Sequence, residues 1–135
     1  MQNIGPVEDR LEIRELIETF AVGAMHIDVD IWGSTWAEEG SWKLPSMTEA
    51  AMGKANLIAA FKEKMSYVSY MSMISFPAEL VVEGDRARGR AYCRELIYPK
   101  AGGEKVVIGY FEDEYVKRDG RWLFLSRVYN VMGVK

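Results

Sequence analysis

The chain has 135 residues, 49% of them hydrophobic and 27% charged, with a net charge of −3. That length suits one domain, residues 1–135, with a core of its own; the composition excludes a disordered chain, and no apolar run is long enough to cross a bilayer. The absence of a basic stripe argues against nucleic acid as a partner, which leaves small molecules or other proteins.

His26 and Cys93 are single copies of their residue types, so neither an internal disulfide nor a zinc site of the usual nitrogen and sulfur ligands is expected. No loop signature points to a hard cation either, and no cofactor is expected. The amino terminus "MQNIGPVEDR" lacks a basic segment followed by an apolar one, so a cytoplasmic location is the default expectation.

From Pro6 to Met25, Ile13, Leu16, Ile17, Phe20 and Ala24 recur at three- and four-residue steps between glutamates, the pattern of an amphipathic helix. Asp28 or Asp30 is placed to cap a second helix that carries Trp32 and Trp36 on one face and ends near Gly40. "GSWKL" reads as a short strand. "MTEAAMGKANLIAAFKEKM" predicts a third helix with Leu57, Ile58, Phe61 and Met65 as its buried face. Beyond it the period changes to two. "YVSYMSMIS" is a strand, "AELVVEGDRARGRAYCRELIY" two strands joined at Glu83, Gly84 and Asp85, and "EKVVIGYFEDEYVKRDGRWLFLSRVYNVM" two more joined at Asp119 and Gly120.

Helices first and antiparallel strands afterwards predict an α+β domain with helices on one face of a curved sheet. In the last two strands both faces are apolar: Val107 and Phe111 oppose Val106, Ile108 and Tyr110, and Leu123, Leu125 and Tyr129 oppose Trp122, Phe124 and Val128. A solvated face would carry polar residues, so a homo-oligomer built through the sheet is expected.

The strings "EDRLEIRELIETFAVGAM", "DVDIWGSTWAEEGSW", "MGKANLIAAF", "VVEGDRARGRAYC" and "YFEDEYVKRDGRWLFLSRV" cover nearly the whole chain. In order and spacing they resemble the SnoaL-like branch of the superfamily that includes nuclear transport factor two, ketosteroid isomerase and scytalone dehydratase. The resemblance implies a cone-shaped α+β fold, with three N-terminal helices packed on a curved, mostly antiparallel sheet enclosing an apolar pocket for small cyclic molecules. It also implies an aspartate at the end of helix one paired with a histidine on the strand after helix three. Those positions fall on Met25 and near Met73, whose thioethers neither donate nor accept a proton.

His26 follows the acid position by one residue, which turns it about 100° away on a helix; a surface histidine is the favoured reading and a catalytic one the alternative. Asp28 and Asp30 are read as caps. By the resemblance, the face of "ARGRAYCRELIY" bearing Cys93 and Glu95 looks into the pocket, as do Arg127 and Tyr129 on the last strand. A buried Glu95 must be raised in pKa or paired with a cation such as Arg127, and the paired state is the favoured reading. The expected lining is Met25, Trp42, Met73, Cys93, Val107 and Phe111.

Three functions compete. One is a lyase or isomerase acting on an apolar cyclic substrate, with Glu95 as acid or base and Tyr129 and Arg127 steadying negative charge on oxygen. The second is a non-catalytic protein that binds a hydrophobic ligand against adaptable methionines. The third is an assembly module with a vestigial pocket.

Overall fold

The computed structural model describes residues 2–135. Helix α1, Val7–Met25, begins after Pro6, and Ile13, Ile17, Phe20, Ala21 and Ala24 are buried along one side while Glu8, Glu12, Glu15 and Glu18 face solvent. Asp9 in its first turn accepts hydrogen bonds from Trp122 Nε1 at 3.0 Å and Lys117 Nζ at 3.3 Å, which ties the helix to the C-terminal strands. Asp28 caps α2, Val29–Gly33, by accepting from the backbone N–H of Asp30 and Ile31. The two helices touch at Gly23, where a Cβ would lie 2.7 Å from the Trp32 backbone nitrogen.

The second helix is a single turn and does not reach Gly40. Trp32 and Trp36 lie four residues apart, a spacing compatible with one face of a helix and equally with one face of a strand. Sheet pairing decides between them: Trp36–Lys43 forms β1, parallel to the last strand through Trp36↔Phe124 and Trp42↔Arg127. The third helix is shortened for a similar reason. Ala51–Met52 forms β2 against β1, and α3 spans Lys54–Met65 with Leu57 and Phe61 buried.

Strand β3, Val68–Glu83, merges two expected strands into one, with an irregularity between Ala78 and Val81 where Glu79 takes φ +56°. Its position at the sheet edge lets Pro77 sit within it without breaking an inner ladder. Strands β4 (Arg86–Pro99), β5 (Lys105–Arg118) and β6 (Arg121–Val134) follow through the expected turns. The sheet order is β2-β1-β6-β5-β4-β3, antiparallel except for β1 beside β6. No helix among the described residues is long and apolar enough to cross a membrane.

One parity expectation changes along β6. Trp122 and Phe124 are buried, and so are Arg127 and Tyr129, because the β5 pairing steps from Phe124 to Ser126 and leaves Leu125 in a bulge. The bulge reverses which side chains point inward and brings Arg127 into the core.

There Arg127 meets Asp113 of β5 in a two-pronged ion pair, Nε to Oδ1 at 2.8 Å and a terminal nitrogen to Oδ2 at 3.0 Å. Tyr115 donates a further hydrogen bond to Oδ2 at 2.8 Å. Arg127 is 1% exposed and Asp113 3%. The guanidinium carbon lies 3.9, 4.1 and 4.4 Å from the ring centres of Phe111, Phe124 and Phe20, so aromatic faces supply part of the attraction that water would provide. Phe20 also packs on Trp32 and Trp36, and Trp32 stacks on Phe61 at 4.3 Å.

Removing one partner strands the other charge in the core. Arg127→Met and Asp113→Leu are each expected to destabilise the fold by about 3–5 kcal/mol, and the double variant by much less than their sum. Guanidinium unfolding curves of the three variants check this.

Candidate functional site

A cavity of about 370 Å³ lies between the helices and the inner face of the sheet, a size suited to a small organic molecule. Its inner end is aromatic and sealed: Phe20, Trp32, Phe61 and Phe111 are at most 2% exposed. Met65, Met71 and Met73 add flexible, polarisable wall. The opposite end is open, where Lys105, Val131 and Val134 are exposed. Among the described lining residues, Lys64, Glu95, Lys105 and Tyr129 carry the titratable groups.

Glu95 is held on β4 between Met73 of β3 and Val107 of β5. Among the described residues, no side chain forms a hydrogen bond or ion pair with its carboxyl. Burial pushes its pKa up to about 7, against the opposing pull of Lys105 and then Arg127. The favoured pairing of Glu95 with Arg127 does not occur, because both prongs of the guanidinium are taken by Asp113. Arg127 stands behind the cavity wall, outside the lining.

Tyr129 of β6 reaches the cavity over Gly109 of β5. A Cβ at Gly109 would fall 2.7 Å from the phenol oxygen, so the missing side chain is the space the ring occupies. The Cys93 thiol donates to the Tyr129 hydroxyl at 3.5 Å. Burial pushes the thiol up to about 11 and raises the phenol as well, so both remain protonated near neutrality. The Tyr129 O–H proton, with no acceptor among the described residues, is available to a guest.

Lys105 shares the inward parity of Val107 on β5 and stands two residue pairs beyond Glu95, opposite Ile97. Lys64, near the end of α3, crosses to the other rim, where its ammonium donates to the Ser46 hydroxyl at 3.0 Å.

Of the residues singled out from sequence, Trp42, Met73, Glu95, Val107, Phe111 and Tyr129 are on the lining. Met25 is not: the inner side of α1 at that end is Ala21 and Ala24, and Met25, one residue further round, packs half-buried against the core. Cys93 lies behind Tyr129. His26 is exposed beyond the last turn of α1, away from the cavity. Among the described residues, no three His, Cys, Asp or Glu side chains are grouped to hold a metal ion. Sequence reasoning missed Lys64, Lys105 and Asp113. The two β5 residues were accessible through strand parity, since Lys105, Val107, Phe111 and Asp113 alternate on one face. Lys64 carried no signal beyond its place on a helix.

Residues 6–128 match the SnoaL-like domain, and the chain belongs to that family. No curated protein matches it. Among solved structures it is similar to a type 2 hexachlorocyclohexane dehydrochlorinase (LinA), with a TM-score of 0.87 and 15% identity over 96% of this chain and 88% of that one. It is also similar to two proteins from Novosphingobium aromaticivorans. For a candidate scytalone dehydratase the TM-score is 0.85 and the identity 13%, over 96% of this chain and 87% of that one. For a candidate aromatic ring hydroxylase the values are 0.86 and 22%, over 97% and 94%. At such identities the likeness establishes the fold, and the chemistry rests on the residues in the cavity.

The Glu95 environment has a consequence for stability. A folded-state pKa of about 7 against an ordinary 4.5 means that the folded chain holds this proton more tightly than the unfolded one. Its stabilising effect is therefore complete below about pH 4.5 and is lost as pH rises to about 7. Glu95→Gln is expected to match the wild type in acid and to exceed its stability at about pH 8 by up to about 3 kcal/mol. Paired denaturant titrations at the two pH values measure the difference.

Proposed function

We propose that this protein is a lyase or isomerase that moves a proton on a small, apolar, cyclic molecule held in the cavity, with Glu95 as the proton-transfer group. The observation that carries this reading is a carboxyl without an ionic or hydrogen-bonding partner, set in an apolar wall. Such a group exchanges its proton near neutrality, whereas a salt-bridged one would stay ionised and weakly basic. Ionised Glu95 would take a proton from a substrate carbon. The electron pair left behind either shifts toward an oxygen to which Tyr129 donates, or forms a double bond as a leaving group departs. In an isomerisation the same carboxyl returns the proton at a different carbon. The dehydrochlorinase and dehydratase named among the structural neighbours are consistent with eliminations on this fold.

The described lining carries no aspartate or histidine, and of the two positions at which the resemblance implies them Met73 is on the lining and Met25 is not. We read the site as having moved its proton chemistry onto β4. A non-catalytic carrier of a hydrophobic guest is the second reading, favoured by the three methionines of the wall. Deuterium exchange at the acidic carbon of 2-tetralone, followed by NMR in heavy water, distinguishes the two. Catalysis should rise with pH through about 7, and Glu95→Gln should slow it at least about 100-fold while ligand-induced thermal stabilisation persists. Exchange no faster than in buffer, or undiminished in the variant, refutes the catalytic reading.

We further propose a homo-oligomer through the outer face of the sheet. Ile74 is 59%, Phe76 49% and Ile108 46% exposed there, beside the ring row Phe76, Tyr92 and Tyr110. Exposed aromatic and aliphatic side chains grouped around Arg94, which lies in register between Ile74 and Ile108, support an interface here. Ile74→Glu combined with Ile108→Glu should convert the assembly to monomers in light-scattering chromatography without unfolding it. A wild-type monomer would contradict the proposal.

A further inference from the structure

The cavity has an uneven distribution of charge that proton transfer from Glu95 does not require. Its sealed end is lined by aromatic rings and carries no charged group. Its open end carries two ammonium groups on opposite rims, Lys64 from α3 and Lys105 from β5. Lys105 makes no hydrogen bond or ion pair among the described residues. Lys64 is held in place by the Ser46 hydroxyl and has only a loose contact with Glu63, 3.9 Å away, on its outer side. Glu95 is the one carboxyl on the described lining, and it lies further in, two residue pairs along the sheet from Lys105. Two cations at the rim thus face one carboxyl inside. With Glu95 ionised the lining has a net charge of +1, and with Glu95 protonated +2. A neutral guest would make no use of either ammonium group.

We infer that the cavity takes an amphiphilic anion: a cyclic apolar body lodged against Phe20, Trp32 and Phe61, with one carboxylate held at the mouth between Lys64 and Lys105. This rests on the cavity being the substrate site, and it names the class of substrate. The orientation follows from desolvation. A carboxylate placed at the aromatic end would lose its hydration and find no cation there, only the single indole N–H of Trp42, which has no partner among the described residues. At the rim it keeps part of its water and gains two cations. The reverse orientation would also set the carboxylate beside the aromatic faces, whose charge distribution repels anions. Lodged this way, the ring lies against the sheet wall that carries both Glu95 and Tyr129, so a carbon partway along it is the one presented to the carboxyl.

Binding of adamantane-1-carboxylate and of its neutral counterpart, adamantane-1-carboxamide, tests this without any turnover. Both are transparent where tryptophan emits, and Trp32 and Trp42 on the lining report occupancy. At low salt and about pH 8 the carboxylate should bind about tenfold more tightly than the amide, as expected for two partly exposed ion pairs. That preference should shrink at high salt and largely vanish in the Lys64→Gln/Lys105→Gln double variant, whose amide affinity stays near the wild-type value. The preference should persist in Glu95→Gln. Equal binding of the two probes by the wild type, or an undiminished preference in the double lysine variant, overturns the inference. Failure of the Glu95 exchange experiment leaves this binding result standing, so the two ideas fail separately.

Discussion

The ion pair between Arg127 and Asp113, enclosed by the rings of Phe20, Phe111 and Phe124, constrains most of what this molecule is able to do. A guanidinium does not give up its proton inside a protein, so its burial requires an opposite charge and electron-rich faces in fixed places. Supplying them holds β5 against β6 and brings α1 down onto both. It also fixes the phase of β6: the Leu125 bulge that turns Arg127 inward turns Tyr129 inward two residues later. The structural pair and the candidate catalytic hydroxyl are therefore products of a single irregularity in one strand.

The same pair acts on the site by what it withholds. Arg127 is near enough to Glu95 to pull its pKa down somewhat, but its Nε and one terminal nitrogen are committed to Asp113. A free arginine in that place would have fixed Glu95 as a permanent carboxylate. Its commitment elsewhere leaves burial as the dominant influence, and burial favours the neutral acid. The cavity thus combines a strongly paired ionic centre behind its wall with an unpaired carboxyl on its surface. Lys105 moderates that carboxyl from two residue pairs away and, in the proposed complex, also helps hold the guest.

Fold and site differed in how far the chain alone revealed them. Strand and helix periods, together with the ordered strings of the SnoaL-like pattern, led to the α+β cone. The inward face of β4 with Glu95 followed from alternation. What failed were the places where one pattern had two structural solutions. Trp32 and Trp36 satisfy both periods, and pairing of β1 with β6 selected the strand. Leu125 is indistinguishable from any other strand leucine, yet its bulge reverses the parity after it. Met25 and Ala24 are neighbours in sequence, and the rotation of α1 against the sheet chose Ala24 for the cavity.

By itself, then, the amino-acid sequence determined the order of elements, the buried stripe of α1, the turns between the long strands and the presence of a carboxyl on an inward strand face, because these depend on local period and side-chain size. Tertiary structure alone decided which cation each carboxylate meets. Asp113 and Glu95 are both inward acids on adjacent strands, and a single arginine could have served either. Local sequence carries no record of that choice, since it depends on a bulge, a glycine that admits a tyrosine ring, and the aromatic side chains that three distant segments bring around one guanidinium.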